Sequence, residues 1–270
     1  MNSAGTMGNR KLSEKGYWDN ILSAARLPLK VKKTQYSPWL INSFFSDQVK
    51  AGNYSTLLEA GAGSSAWLPF LAEEYGLTVS GLDYSEPGCV ICEENLKIQN
   101  IGYDEVLCTD IFKWQGDKKY DIIISLGLVE HFENPAGILE IAREHLNRGG
   151  LIITVIPNLM GLSGWLTRIF LPDVYDIHMK LTREDLLEMH EKTGFRCIRT
   201  DYTGFFYPMI IPWSVKETGF LFRPGTRLRK ITMKILELTN AVITKLLIGL
   251  KVKMSSRLFS PVIICIAKND

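Results

Sequence analysis

The chain has 270 residues, 46% of them hydrophobic and 22% charged, and a formal net charge of +2. A length of this order buries a substantial core in one domain with additions, or at most two, and so small a charge gives no reason to expect a nucleic-acid partner. The first thirty residues lack the apolar core of a signal peptide, and no run approaches the ~18 apolar residues of a membrane span. Five cysteines, an odd number, then argue for reduced thiols and a cytoplasmic protein.

Tyr17-Trp18 and Ile21-Leu22 suggest a short amphipathic helix, and Pro38 opens a second through Trp39, Leu40, Phe44, Phe45 and Val49. An alternation of strands and helices starts at Thr56: strand 56–60, helix 65–75, strand 78–82, helix 87–99, strand 104–108, strand 120–125, helix 135–146 and strand 150–156. Runs without polar alternation, such as Ile122-Ile123-Ile124, read as strands buried on both faces of a parallel sheet. Residues 157–181 read as a long loop. Thr182 with Asp185 opens a helix reaching His190, followed by strand 195–203 and a final strand over 261–267. The pattern predicts a doubly wound α/β fold. Cys89 and Cys92 fall within a helix and lack the partners of a zinc set, so no metal site is expected.

The stretch Leu57-Leu58-Glu59-Ala60-Gly61-Ala62-Gly63-Ser64-Ser65 leads from an apolar strand through an acid into a glycine-rich turn, and Asp83 closes the next strand twenty residues after Gly63. Glycines there let the backbone approach a ligand, and the second acid is placed to take ribose hydroxyls. The pattern is E-x-G-x-G, with Ser65 where a third glycine often sits. Glu59 would repel a pyrophosphate but suits the ammonium group of an amino-acid tail, which favours S-adenosylmethionine over a nicotinamide dinucleotide.

Together with Cys-Thr-Asp-Ile-Phe, Tyr-Asp-Ile-Ile-Ile-Ser-Leu-Gly-Leu-Val-Glu-His-Phe and Leu-Asn-Arg-Gly-Gly-Leu-Ile-Ile-Thr, these motifs resemble the class I S-adenosylmethionine-dependent methyltransferases over residues 56–203 plus the last strand. The resemblance implies a Rossmann-like seven-stranded sheet whose last strand is antiparallel. It divides the chain into an N-terminal helical cap (1–55), a cofactor domain (56–203 with 259–270) and an α-helical insertion (204–258). It also implies that Gly61 and Gly63 approach the methionine tail, with Glu59 near its ammonium group. Asp83 would hold the ribose, Tyr84 would lie against the adenine, and Asp110 and Ile111 would meet its edge. Ser125 and Leu126 would line the methionine portion beside the acceptor.

An oxygen acceptor of high pKa needs a base, and histidine suits that work. His131, just after the fourth strand, and His178, in the loop after the fifth, are the catalytic candidates; the competing reading makes Glu130-His131 a fixture of its loop. His145 and His190 read as structural or solvent-facing. From Arg223 to Arg257 nine basic residues face one acid, Glu237, so this segment carries +8 and the remainder −6. There Leu228, Ile231, Ile235, Leu238, Val242 and Leu246 recur at helical steps, after the apolar run Phe205–Trp213. The segment is expected to form a lid packed on its own domain, with contact to an anionic membrane at its inner face or a dimer interface as the open alternatives, for a small-molecule, sugar or lipid-linked acceptor methylated on oxygen. A non-catalytic cofactor-binding or membrane accessory protein is the alternative.

Overall fold

The computed structural model describes residues 10–206 and 226–270; within 226–237 it describes side chains only at Ile231, Lys234 and Ile235. Helices α1 (Lys15–Ser23) and α2 (Tyr36–Val49) precede β1 (Thr56–Ala60), α3 (Trp67–Tyr75), β2 (Thr78–Asp83), α4 (Glu86–Ile98), β3 (Tyr103–Cys108) and β4 (Tyr120–Leu126). Then come α5 (Pro135–Glu144), β5 (Leu146–Pro157), α6 (Leu162–Phe170), α7 (Pro172–Asp176), α8 (Arg183–Lys192), β6 (Arg196–Thr203), α9 (Thr226–Gly249) and β7 (Val262–Lys268). The seven strands form one sheet in the order β3-β2-β1-β4-β5-β7-β6. The first five pair in parallel, and β7 runs antiparallel to both β5 and β6.

Strand alternation divides the apolar side chains between the two faces. Leu57, Ile122, Ile124, Ile264 and Ile266 enter one cluster with α2 and α3; Leu58, Ile123, Ile263 and Cys265 enter the other with α5 and α8. Each such buried aliphatic side chain contributes roughly 1.5–3 kcal/mol, so helices are held on both sides of the sheet. Chain order reverses between β1 and β4, which opens a crevice at the strands' C-terminal ends, where open α/β sheets bind ligands.

The expected loop over 157–181 is a correction: it contains α6 and α7. Gly161, Gly164 and Pro172 punctuate the segment as loops do, yet Leu162, Trp165, Leu166 and Ile169 still recur at helical steps, and Pro172 sits at the tolerated start of α7. Strand β5 begins four residues earlier than expected, where Leu146 pairs with Tyr120 ahead of an irregularity in the ladder. The expected stripe of α9 is helical in backbone. The run Tyr207–Trp213 and the side chains of Leu228, Met233 and Leu236 lie outside the described residues. Cys89 and Cys92 are buried, unbridged thiols of α4.

Candidate functional site

Two cavities meet in the crevice. The smaller, about 350 Å³, lies over the tips of β1, β2 and β4, within the range of small-ligand pockets. Gly61 adopts φ +78°, a left-handed conformation that favours glycine, and turns the chain sharply after β1. A Cβ on Gly63 would stand 2.9 Å from Leu22 of α1 and 3.1 Å from the Asp83 carboxylate of β2, so glycine lets the turn lie against both without displacing either. The amides of Gly61 and Ala62 donate to Leu82 O at 2.8 and 3.0 Å, and that of Gly63 donates to Asp83 Oδ2 at 2.8 Å. Ser65 Oγ accepts from the amides of Trp67 and Leu68 at the start of α3. The turn therefore spends these N–H groups within the protein. It offers a shaped cradle rather than the amide cluster a pyrophosphate needs.

Ser65 takes the cap role that serine suits at a helix start, and its hydroxyl donates to Glu59 Oε2 at 2.5 Å. Glu59 is fully buried, and burial, opposed by that hydrogen bond, pushes its carboxyl up to about 8. An ammonium group would offset this uncompensated acid. Asp83 Oδ1 accepts from the amide of Ser85 at 2.8 Å; burial raises its pKa against the amides of Ser85 and Gly63, which lower it. The Tyr84 amide and Lys11 also lower it, and a carboxylate's remaining acceptor capacity is open to a ligand hydroxyl.

The end of the cavity expected to take the adenine carries a residue that the sequence does not signal. Lys11 Nζ pairs with Asp110 Oδ2 at 2.7 Å and stands 3.8 Å from the centre of the Tyr84 ring. Burial works to raise Asp110, but Lys11 and the Phe112 amide outweigh it and hold the acid below its usual range. Lys11 arrives there because its segment bridges to Phe132, a pairing 121 residues apart that nothing in the local sequence signals. Ile111 and Leu126 line the same cavity. Ser125 does not; strand alternation turns it to the face of Ile123, where its hydroxyl is buried without a partner.

The larger cavity, about 810 Å³, shares Trp18, Trp67, Leu126, Gly127 and His131 with the smaller one. Tyr36, Ile41, Val155, Ile156 and Phe205 make it apolar, and Asn240, Thr244 and Lys245 of α9 close one wall. At the junction Trp18 donates its indole N–H to Ser13 Oγ at 2.7 Å and stands edge-on to His131, ring centres 4.9 Å apart.

Both histidine candidates come together here, 4.2 Å between ring centres. Burial, then the neighbouring His178, draws His131 down to about 3, and burial draws His178 down to about 4, so both rings are neutral near pH 7. Glu130 joins them, buried and pushed up to about 8 by its surroundings. The sequence shows Glu130 beside His131, but only the fold turns its side chain into the same space. His190 is buried between Leu186 O and Thr154 Oγ1, and His145 stacks on Trp114; both are structural.

The exposed face of α9 carries Ile231, Ile235, Leu238, Val242 and Leu246, the last three each about 60% exposed. The stripe faces away from the domain, whereas Leu247 and Ile248 pack on its core. No helix among the described residues is long and apolar enough to cross a membrane.

A family model described as a methyltransferase domain matches residues 24–200. No curated protein matches the chain. Among solved structures it is similar to an S-adenosylmethionine-dependent methyltransferase from Archaeoglobus fulgidus (20% identity, 85% of this chain and 93% of that one, TM-score 0.53). It is also similar to the plantazolicin methyltransferase BpumL in complex with SAH (17% identity, 94% and 85%, TM-score 0.54). A third is coclaurine N-methyltransferase bound to N-methylheliamine and SAH (16% identity, 94% and 86%, TM-score 0.54). At these identities the structural likeness is one of fold.

Proposed function

The chain belongs to the methyltransferase-domain family and is an S-adenosylmethionine-dependent methyltransferase, and from that premise we propose that it methylates an oxygen of an amphiphilic small molecule met at a membrane surface. The cofactor, when bound, supplies a methyl carbon activated by a neighbouring sulfonium. The residues present fit it. Glu59 is a buried acid suited to the ammonium end, the Gly61–Gly63 turn is a cradle that a side chain would fill, and Asp83 is a ribose acceptor one strand away. Tyr84, Asp110 and Ile111 take the adenine end in this reading, and Leu126 takes the passage to the acceptor.

What remains for the protein is alignment and desolvation of the acceptor. His131 at the junction and His178 in the larger cavity carry neutral rings that accept a hydrogen bond from the acceptor hydroxyl and orient it, while Trp18 and Trp67 exclude water. A hydroxyl is favoured over an amine because two neutral, hydrogen-bond-accepting rings and an apolar wall suit an uncharged nucleophile. The observation that carries the proposal is the apolar cavity that meets the cofactor cavity at His131 and is walled by α9. On that helix a second face, with Lys234 and Lys245 exposed nearby, presents an apolar stripe to solvent. An apolar stripe flanked by lysines fits the interface of an anionic bilayer, where it would take up lipid-like acceptors.

Labelled cofactor offered with hydroxyl-bearing amphiphiles, with and without anionic vesicles, tests both halves. Transfer to hydroxyl oxygen, faster on vesicles and lowered about 100-fold by His131→Ala at unchanged S-adenosylhomocysteine affinity, is the expected result. Transfer confined to amines or carboxylates rejects the oxygen assignment. Failure to pellet with anionic vesicles at low salt rejects the membrane.

A further inference from the structure

We infer that Glu130, His131 and His178 form a site for one divalent transition-metal ion whose open positions face the larger cavity; the ion's role rests on the reading of that cavity as the acceptor's. One nitrogen of each ring and one carboxylate oxygen lie within 4.8 Å of one another, and all three residues are buried. The Nδ1 atoms are already engaged, with Ile177 O at 2.9 Å from His131 and Val174 O at 2.5 Å from His178. A carbonyl only accepts, so each ring carries its proton on Nδ1 and keeps a lone pair on Nε2. Fixing a ring through one nitrogen is how proteins orient an imidazole that binds metal through the other.

Glu130 supplies an independent observation. It is 1% exposed, and neither carboxylate oxygen has a hydrogen-bond partner beyond its own residue. A buried acid without partners is costly, whereas a cation set between it and two neutral imidazoles satisfies all three. Two histidines and one carboxylate with open positions are a donor set of Zn²⁺ and of non-haem Fe²⁺. A tetrahedral ion about 2.1 Å from each donor sets the donors about 3.4 Å apart, so side-chain rotations of roughly 1–1.5 Å complete the site. The backbone pins the two segments together without help from the side chains, because Met179 N–H donates to Glu130 O at 2.6 Å. With an ion in place the imidazoles act on an acceptor hydroxyl through it. Held by Glu130, His131 and His178, the ion would supply Lewis-acid activation of an acceptor oxygen, whose proton would leave to solvent.

The full chain, stripped with a chelator, is titrated with Zn²⁺ by calorimetry and with Co²⁺ by visible absorption. One equivalent of each is expected to bind, with Co²⁺ bands of a low-coordinate site. Glu130→Gln and His178→Gln are each expected to weaken binding at least about tenfold. Unchanged S-adenosylhomocysteine affinity in both variants shows that they fold. Absence of stoichiometric binding to the wild type, or equal binding to the variants, overturns the site. Full-rate methyl transfer by the stripped enzyme overturns the ion's role yet leaves the acceptor reading intact.

Discussion

At the residue scale the decisive group is Glu59, an acid held at a strand tip with one hydroxyl for company and a pKa raised to about 8 by burial. A cationic ligand end favours its ionised form. Binding therefore has to expel a proton whenever the pH lies below that value, and affinity rises with pH until it is reached. The affinity for S-adenosylhomocysteine is expected to increase between pH 6 and pH 8 by up to about tenfold per unit, with proton release seen as a buffer-dependent heat. Glu59→Gln should flatten this profile; an unchanged slope in the variant would assign the titration to another group. That Glu59, Gly61, Gly63 and Asp83 meet in one cavity is legible in the sequence, because a tight turn follows β1 and Asp83 closes the next strand, with spacings set by a strand and a helix. The place of Lys11 is not, since it reaches Tyr84 and Asp110 through a long-range bridge to Phe132. Ser125, expected beside Leu126, lies on the opposite face of the sheet, because adjacent strand residues alternate.

At the element scale, local chemistry sets boundaries where it is strong. Thr182 Oγ1 accepts from the Asp185 amide at 3.1 Å and Asp185 Oδ2 accepts from the Thr182 amide at 2.8 Å, the reciprocal cap that the sequence announces. Thr182→Ala is expected to cost about 1 kcal/mol and to lower the melting temperature by roughly 2 °C, readable by calorimetry. A variant as stable as the wild type would show that tertiary packing, through buried Leu186 and His190, alone holds α8. In α6 and α7 the signal is ambiguous, because glycine and proline mark a loop while the apolar spacing marks a helix; Gly164 and Thr167 are buried within α6. For α9 the periodicity gave the helix but not which way its stripe faces, because periodicity is the same whether a face meets a core or solvent. Leu238→Asp with Val242→Asp is expected to abolish vesicle binding and leave stability within about 0.5 kcal/mol, since both side chains are about 60% exposed.

For the molecule as a whole, one carboxylate ties three strands together. Asp121, in β4, accepts from the amides of Ser55 and Thr56 at 2.9 and 3.0 Å, just ahead of and at the start of β1, and from the Asn147 amide group of β5 at 2.9 Å. Burial works to raise its pKa, but the Ser55 amide, Asn147 and the Thr56 amide outweigh it and bring it down to about 2. The folded value lies below the unfolded one of about 3.9, so its stabilisation is complete above that pH and is lost as the pH falls through about 2. Discounted for solvent screening, this is worth about 1–2 kcal/mol. Urea unfolding of Asp121→Asn should show that deficit at pH 7 and a shrinking one below pH 4. A deficit constant down to pH 2 would attribute the effect to hydrogen-bond shape rather than charge. The order of the strands, with β7 antiparallel between β5 and β6, brings the β1–β4 crevice, the two histidine segments and α9 to one end of the sheet. Holding an adenosyl cofactor across that crevice is the premise of every role assigned there. Calorimetric titration of S-adenosylhomocysteine into the wild type and Asp83→Ala, with melting temperatures as the check on folding, tests it most directly. If Asp83 holds the ribose as proposed, its loss predicts about a 10–100-fold weaker affinity in a folded variant; equal affinity in the two proteins would contradict it.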